Sequence, residues 1–256
     1  MSKLLNEHAK GVYIIAATPF FDDDSIDYDS LDRLTDFYLE KGVSGITILG
    51  MMGEAQKLSP DESKNVMNRV IKRVDGRVPV IVGVSNPDIK KLIKLSNSAM
   101  AAGAAGIMVA PNSSHHNDET IFNYYVEVDK ALESKIPMIY QDFPLVTKAP
   151  ISLDCLMRII REIPQVVMLK HEDWPGLEKL SELRSRSKAE GLRRISILCG
   201  NGGLYLPQEL SRGADGAMTG FAYPEMLVSV CKKFENGDHD DAEDLFDLYL
   251  PVIKHE

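Results

Sequence analysis

The sequence predicts an α/β protein built as a (β/α)8 TIM barrel with a short C-terminal helical extension. Three observations carry this. Short β-branched or apolar runs alternate with longer amphipathic stretches, and the alternation recurs about every 30 residues, the rhythm of βα units. Eight such units occupy about 225 residues, the count and size of a closed barrel of this kind. No linker rich in glycine, proline and serine divides the 256 residues, and the glycines fall at the boundaries between units. Residues 1–224 then hold eight strands and the first seven helices, and residues 225–256 hold the eighth helix and the extension, in a single domain. A doubly wound sheet is the structural alternative. It would have fewer strands and a glycine-rich turn after the first one, where this chain has Thr18-Pro19-Phe20.

The elements follow in order. Residues 12–17 are the first strand and 28–41 its helix, with Leu31, Leu34, Tyr38 and Leu39 on roughly one face and Gly42 as the C-terminal stop. Residues 45–49 are the second strand. After the loop GMMGEAQKL, Ser59-Pro60-Asp61-Glu62 opens a helix with a capping-box signature: serine at the cap, proline in the first turn, glutamate three residues on. The pattern continues with strand 79–84 and helix 88–102, strand 106–109 and helix 119–134, strand 137–140 and helix 152–162. Strand 166–170 precedes helix 177–189, strand 195–199 precedes helix 204–212, and strand 216–219 precedes the eighth helix at 224–234. Residues 238–252 form one more helix outside the barrel.

Composition narrows the function classes. Hydrophobic residues make up 44% and charged residues 26%, an ordinary globular balance. A formal charge of −9 without any long basic block argues against a nucleic-acid partner or an anionic membrane surface. Cys155, Cys199 and Cys231 lie far apart with no paired spacing, so neither a zinc site nor a disulfide framework is expected. The first ten residues lack a long apolar core, and no apolar run reaches the roughly 18 residues that a membrane span requires. No targeting segment is expected, and the composition fits a cytoplasmic protein with no metal and no cofactor.

The chemistry centres on the run Val166-Val167-Met168-Leu169-Lys170. A lysine closing a strand buried on both faces is uncommon unless it is paired or functional. Burial disfavours the ammonium form, and a neutral amine can attack a carbonyl carbon. The plainer reading is a lysine that marks the strand end and reaches water. In a barrel the carboxyl ends of all strands meet at one mouth, which would bring Lys170 together with Tyr140, the loop Gly50-Met51-Met52-Gly53-Glu54, Asn112, Ser113, Asp142, Gly200, Asn201 and Gly220. Lys170 is expected to share a face with Met168 and Val166, and Tyr140 with Met138. If both faces turn to the axis, a phenol able to shuttle protons stands beside the amine on adjacent strands. Two glycines around Met51 and Met52 permit a tight turn whose amides could cradle a carboxylate. His115-His116 could suggest metal ligands, but adjacent residues seldom share a face, and loop histidines are the simpler account. His171-Glu172-Asp173 reads as a solvated turn.

The order and spacing of Thr18-Pro19-Phe20, Asp27, Gly42-Val43-Ser44-Gly45, Gly50-x-x-Gly53-Glu54, Leu58-Ser59, Tyr140, Pro144, Lys170, Gly200-Asn201 and Gly213-Ala214-Asp215-Gly216 resemble the dihydrodipicolinate synthase and N-acetylneuraminate lyase family, over roughly residues 11–224. The resemblance implies a homo-oligomer, a tetramer or dimer, that forms a Schiff base between a strand-six lysine and a small 2-oxo acid. Carried over, Lys170 would be the nucleophile and Tyr140 the proton-transferring phenol. Amides near Met51 and Met52 would hold the substrate carboxylate, and Glu54 would brace their loop. The resemblance also implies about three helices after the barrel. The roughly 30 residues after Pro224 suffice for the eighth helix and one more at about 1.5 Å rise per residue.

The departures from the family pattern bear on substrate. Met51 and Met52 stand where the synthases have two threonines, and Pro111-Asn112-Ser113 where they have proline and two tyrosines. The segment from Gln141 to Thr147 has no arginine for a second carboxylate, and Lys148 is the only nearby cation. The sequence therefore points to a Schiff-base lyase, an aldolase or dehydratase, that releases pyruvate or acts on a 2-oxo-3-deoxy sugar acid. Asp142, Asn112, Ser113, His115 and Glu172 could contact the hydroxyls of such a substrate. A non-catalytic barrel that binds a 2-oxo acid is one alternative. Condensation of pyruvate with an aldehyde, as in the synthases, is another.

Overall fold

The computed structural model describes residues 4–132, 136–174 and 176–255. Its strands are β1 (Gly11–Ile15), β2 (Gly45–Ile48), β3 (Val80–Gly83), β4 (Gly106–Val109), β5 (Met138–Asp142), β6 (Val166–His171), β7 (Ser196–Cys199) and β8 (Gly216–Ala217). Between and after them run α1 (Tyr28–Glu40), α2 (Pro60–Val74), α3 (Ile89–Ala102), α4 (Asp118–Ala131), α5 (Pro144–Thr147), α6 (Leu153–Glu162), α7 (Leu177–Ala189), α8 (Leu206–Leu210), α9 (Pro224–Asn236) and α10 (His239–Ile253). The strands are all parallel and close in sequence order, β8 returning to β1. The predicted (β/α)8 barrel is therefore the fold, with α10 as its extension. Among the described residues no helix is long and apolar enough to cross a membrane.

Local chemistry starts the helices. The Asp27, Asp88 and Ser152 side chains accept from amides in the first turns of α1, α3 and α6. Ser59 and Glu62 form the reciprocal capping box at α2, and Asn117 and Thr120 form one at α4. Each such cap stabilises by about 1 kcal/mol. Packing then selects the barrel. Tyr13, Ile15, Ile81, Met108, Ile139, Met168, Leu198 and Met218 fill its interior. A second layer lies between strands and helices, where Ile14, Ile46, Val82, Leu169 and Ile197 meet Leu31, Val70, Leu92, Ile121, Ile159 and Leu180. Each large apolar side chain buried in this way contributes roughly 1.5–3 kcal/mol of transfer free energy.

The structure corrects several predicted details. A short helix, α5, follows β5 where a loop was expected, and α8 is shorter than 204–212. The expected C-terminal turn of α4, which reaches Ser134, lies partly outside the described residues. Strand β8 keeps only two residues, although Met218 and Thr219 still bond to the flanking strands. A bulge interrupts the β5–β6 register, because Met138 pairs with Val166 but Ile139 pairs with Met168. That extra residue moves Val166 to the outer layer, so it does not share a face with Lys170.

Candidate active site

The register beyond the bulge fixes which side chains enter the mouth. Gln141 pairs with Lys170, and Tyr140 with Leu169. Directly paired residues share a face, so Gln141 and Lys170 face the axis while Tyr140 and Leu169 belong to the outer layer. The expectation that a phenol stands beside the amine is thus corrected. Tyr140 is fully buried behind the barrel wall and stacked on Tyr125 of α4, with ring centroids 4.7 Å apart. Burial drives its phenol well above the ordinary tyrosine value, and its hydroxyl has no partner among the described residues.

What meets the amine is a carboxylate. Lys170 and Glu172 are each only 5% exposed, and Lys170 Nζ lies 3.0 Å from Glu172 Oε2. Glu172 directly follows β6, two residues after Lys170, and its amide still donates to the Asp142 carbonyl of β5 at 2.9 Å, so the β period carries on one step and turns both inward. Gln141 Nε2 donates to the same Glu172 Oε2 at 2.7 Å. From the loop after β7, the Asn201 amide approaches Glu172 Oε1 at 3.4 Å, and its side-chain amide donates to the Glu172 carbonyl at 3.1 Å. A β-carbon on Gly200 would overlap Glu172 Cγ, so glycine there makes room for the carboxylate. Asn201 accepts the left-handed conformation, at φ 48°, that this approach requires. Removing two charges from water costs several kcal/mol per ion, which their attraction rarely returns with profit. Stability therefore gives little reason for a buried Lys170–Glu172 pair, and chemistry gives a better one.

The expected solvated turn at His171-Glu172-Asp173 is likewise corrected, since His171 and Glu172 are buried. Asp142 is also not in the mouth. It alternates with Gln141, points to the outer layer and accepts a hydrogen bond from Lys179 Nζ of α7 at 2.7 Å. Burial raises the Asp142 carboxyl above its ordinary range despite the ammonium beside it.

The loop after β2 lies across the mouth. Gly50 is buried beneath it, where a β-carbon would stand 3.1 Å from Ile15. The Gly53 carbonyl accepts from Thr18 Oγ1 at 2.7 Å, and Glu54 N donates to the Met51 carbonyl at 3.0 Å. The amides of Met51 and Met52 meet no acceptor among the described residues. The two residues are 39% and 47% exposed, and the thioether of Met52 lies over Gly220, where a β-carbon would overlap it. The Glu54 side chain pairs with Lys57. Beyond β4, Asn112 is half-buried and accepts from the Ser114 amide at 2.9 Å, whereas Ser113 is exposed. His115 Nδ1 accepts from the Asn112 amide at 3.3 Å, and its ring packs on Tyr124. Lys148 donates to the Leu145 carbonyl at 2.6 Å. The structure thus gathers Lys170 with Glu172, Gln141, Gly200 and Asn201, and Met52 with Gly220, and it excludes Tyr140 and Asp142.

The profile of the dihydrodipicolinate synthetase family matches residues 8–256. An L-2-keto-3-deoxyarabonate dehydratase from Azospirillum brasilense is 32% identical, the match covering 96% of this chain and 79% of that protein. A 4-hydroxy-tetrahydrodipicolinate synthase from Caldicellulosiruptor bescii is 31% identical over 96% of this chain and 81% of its own. A crystal structure described as dihydrodipicolinate synthase from Rhodopseudomonas palustris superimposes with a TM-score of 0.96 at 47% identity, covering 99% of this chain and 84% of that one. With a profile match along almost its whole length and a closed barrel of the same architecture, this chain belongs to the dihydrodipicolinate synthetase family.

Proposed function

We propose that the protein is a lyase that forms a Schiff base between Lys170 and a 2-oxo acid, with Glu172 moving the protons. The observation that carries this reading is the 3.0 Å contact between Lys170 Nζ and Glu172 Oε2 inside the mouth. Glu172 takes a proton from the ammonium, and the free amine adds to C2 of the substrate. The carbinolamine then loses its oxygen as water to give an iminium, which acts as an electron sink. A carboxylate at that point can next remove a proton from C3 and return it to a hydroxyl leaving from C4, which is dehydration. It can instead take the C4 hydroxyl proton as the C3–C4 bond breaks, which is aldol cleavage. The unbonded amides of Met51 and Met52 offer the carboxylate of C1 a place to bind.

Dehydration of a 2-oxo-3-deoxy sugar acid is the favoured course. The similarity to an L-2-keto-3-deoxyarabonate dehydratase supports it, as does the occupation of the Lys148 ammonium by the Leu145 carbonyl. Half-buried Asn112 and Asn201 and the amide of Gln141 suit hydroxyls better than a second carboxylate. The absence of relay hydroxyls at Met51 and Met52 does not require a binding-only barrel, because Glu172 supplies a proton carrier next to the amine.

Borohydride reduction with pyruvate, followed by peptide mass spectrometry, tests the Schiff base. The expected adduct is on Lys170, and Lys170→Ala loses both the adduct and turnover. An unmodified Lys170, or full activity in Lys170→Ala, overturns the reading. Turnover across a panel of 2-oxo-3-deoxy sugar acids and of pyruvate with aldehydes then separates dehydration, cleavage and condensation.

A further inference from the structure

The outer layer of the barrel is apolar nearly throughout, but at the ends of β5 and β6 it is ionic. His171 stands between Lys170 and Glu172 in sequence, with its ring on the opposite face and fully buried. Its Nδ1 lies 3.1 Å from Oε1 of Glu209, itself buried on α8. A β-carbon on Gly176 would come within 2.6 Å of the imidazole, so the entry to α7 closes directly over the ring. The other titratable groups facing it are Asp142 from β5 and Lys179 from α7, with the Cys199 thiol of β7 beside Glu209. Lys179 bridges Asp142 and Asp173, at 2.7 Å and 3.0 Å, and so ties the loop after β6 to the same layer.

We propose that His171, through its ion pair with Glu209, is a positioning residue that holds the end of β6 against α8 and so keeps Lys170 and Glu172 in contact. The proposal rests on the reading of Lys170 and Glu172 as the reacting pair. A buried ion pair is a poor stabiliser, since well-packed apolar replacements are often as good or better. Its place is therefore informative: it sits on the one residue flanked on both sides by the groups proposed to react. A displacement of about 1 Å in such groups costs as much as a hundredfold in rate.

The pair also has a pH sense. Burial works against the imidazolium, but the Glu209 carboxylate outweighs it, and His171 is raised above the ordinary histidine value. A folded-state value above the unfolded one means that the pair contributes fully below about pH 6.5 and is lost as pH rises through the raised value. The mouth should therefore lose its geometry on the alkaline side.

The test uses the full chain labelled with 15N. The His171 ring and the amides of Lys170 and Glu172 are followed by NMR from acidic to alkaline pH, and borohydride trapping with pyruvate is timed in wild type, His171→Gln and Glu209→Gln. The expected result is one shared midpoint for the ring and both amides, which Glu209→Gln moves to lower pH. Trapping should slow by tenfold to a hundredfold in the variants, with little change in the pyruvate Kd. Amides indifferent to the His171 titration, or folded variants trapped as fast as wild type, overturn the proposal. If a variant does not fold, the wild-type titration decides alone. If wild type is never trapped on Lys170, the lyase reading fails, while the shared midpoint still judges the positioning role.

Discussion

At the scale of single residues, the side chain that meets the Lys170 amine is the point on which the structure departs from what the family resemblance implies. Glu172 shares an oxygen between Lys170 and Gln141, whereas Tyr140 lies on the other side of the barrel wall. The two residues therefore predict opposite outcomes. Glu172→Gln keeps the shape and one acceptor oxygen for Lys170 and Gln141 but cannot accept a proton, so kcat should fall by about 10²–10⁴. Tyr140→Phe deletes a hydroxyl that has no partner among the described residues, and it should leave kcat near wild type and stability unchanged or slightly raised. Steady-state kinetics and thermal melts on the two variants check this. A collapse of kcat in Tyr140→Phe alone would return the phenol to the mechanism.

At the scale of elements, β6 shows how far the sequence can be read. Its existence, its direction and the lysine at its end are all legible from an apolar run that closes on Lys170. The faces are not, because a strand buried on both sides carries no polar alternation to phase it. Met138, Ile139 and Tyr140 in β5 are equally silent, and the bulge opposite them shifts the phase of Val166. The one phased signal is the spacing of Lys170 and Glu172, two residues apart and hence on one face, and it was available without coordinates. The loops converge on that pair as well. Gly200 follows β7 with no space for a β-carbon beside Glu172, and its φ of −103° with ψ of −143° lies outside the β region that other residues prefer. Gly200→Ala should therefore lose some stability and also lose kcat, because the methyl group displaces the carboxylate from Lys170. A lowered melting midpoint in a still-folded protein, with kcat down at least about tenfold, is the expected pair of results, in keeping with the cost of small misplacements. Unchanged kcat would show that Glu172 has freedom to move away.

For the whole molecule, the barrel is only as sound as its closure. Strands β5 and β6 share five registered pairs, whereas β8 meets β1 through two, Gly11 with Gly216 and Val12 with Ala217. Two glycines face each other there because the backbones approach too closely for a side chain: a β-carbon on Gly216 would overlap the Gly11 carbonyl group. The φ of Gly216, +153°, is also one that other residues rarely adopt. Gly216→Ala thus meets two separate penalties, backbone strain and overpacking, each of about 1–3 kcal/mol. Against a typical stability of about 5–15 kcal/mol, this is enough to move the unfolding midpoint strongly or to prevent folding. Gly237→Ala is the matched control. It has φ +89° at the C-cap of α9 and nothing within 4 Å of its β-carbon, so it bears the strain without the overlap. Urea unfolding should rank wild type above Gly237→Ala and Gly237→Ala well above Gly216→Ala. Equal midpoints for the two variants would mean that the seam yields to the added methyl, and that closure is held by the surrounding helices instead of the β1–β8 pairing.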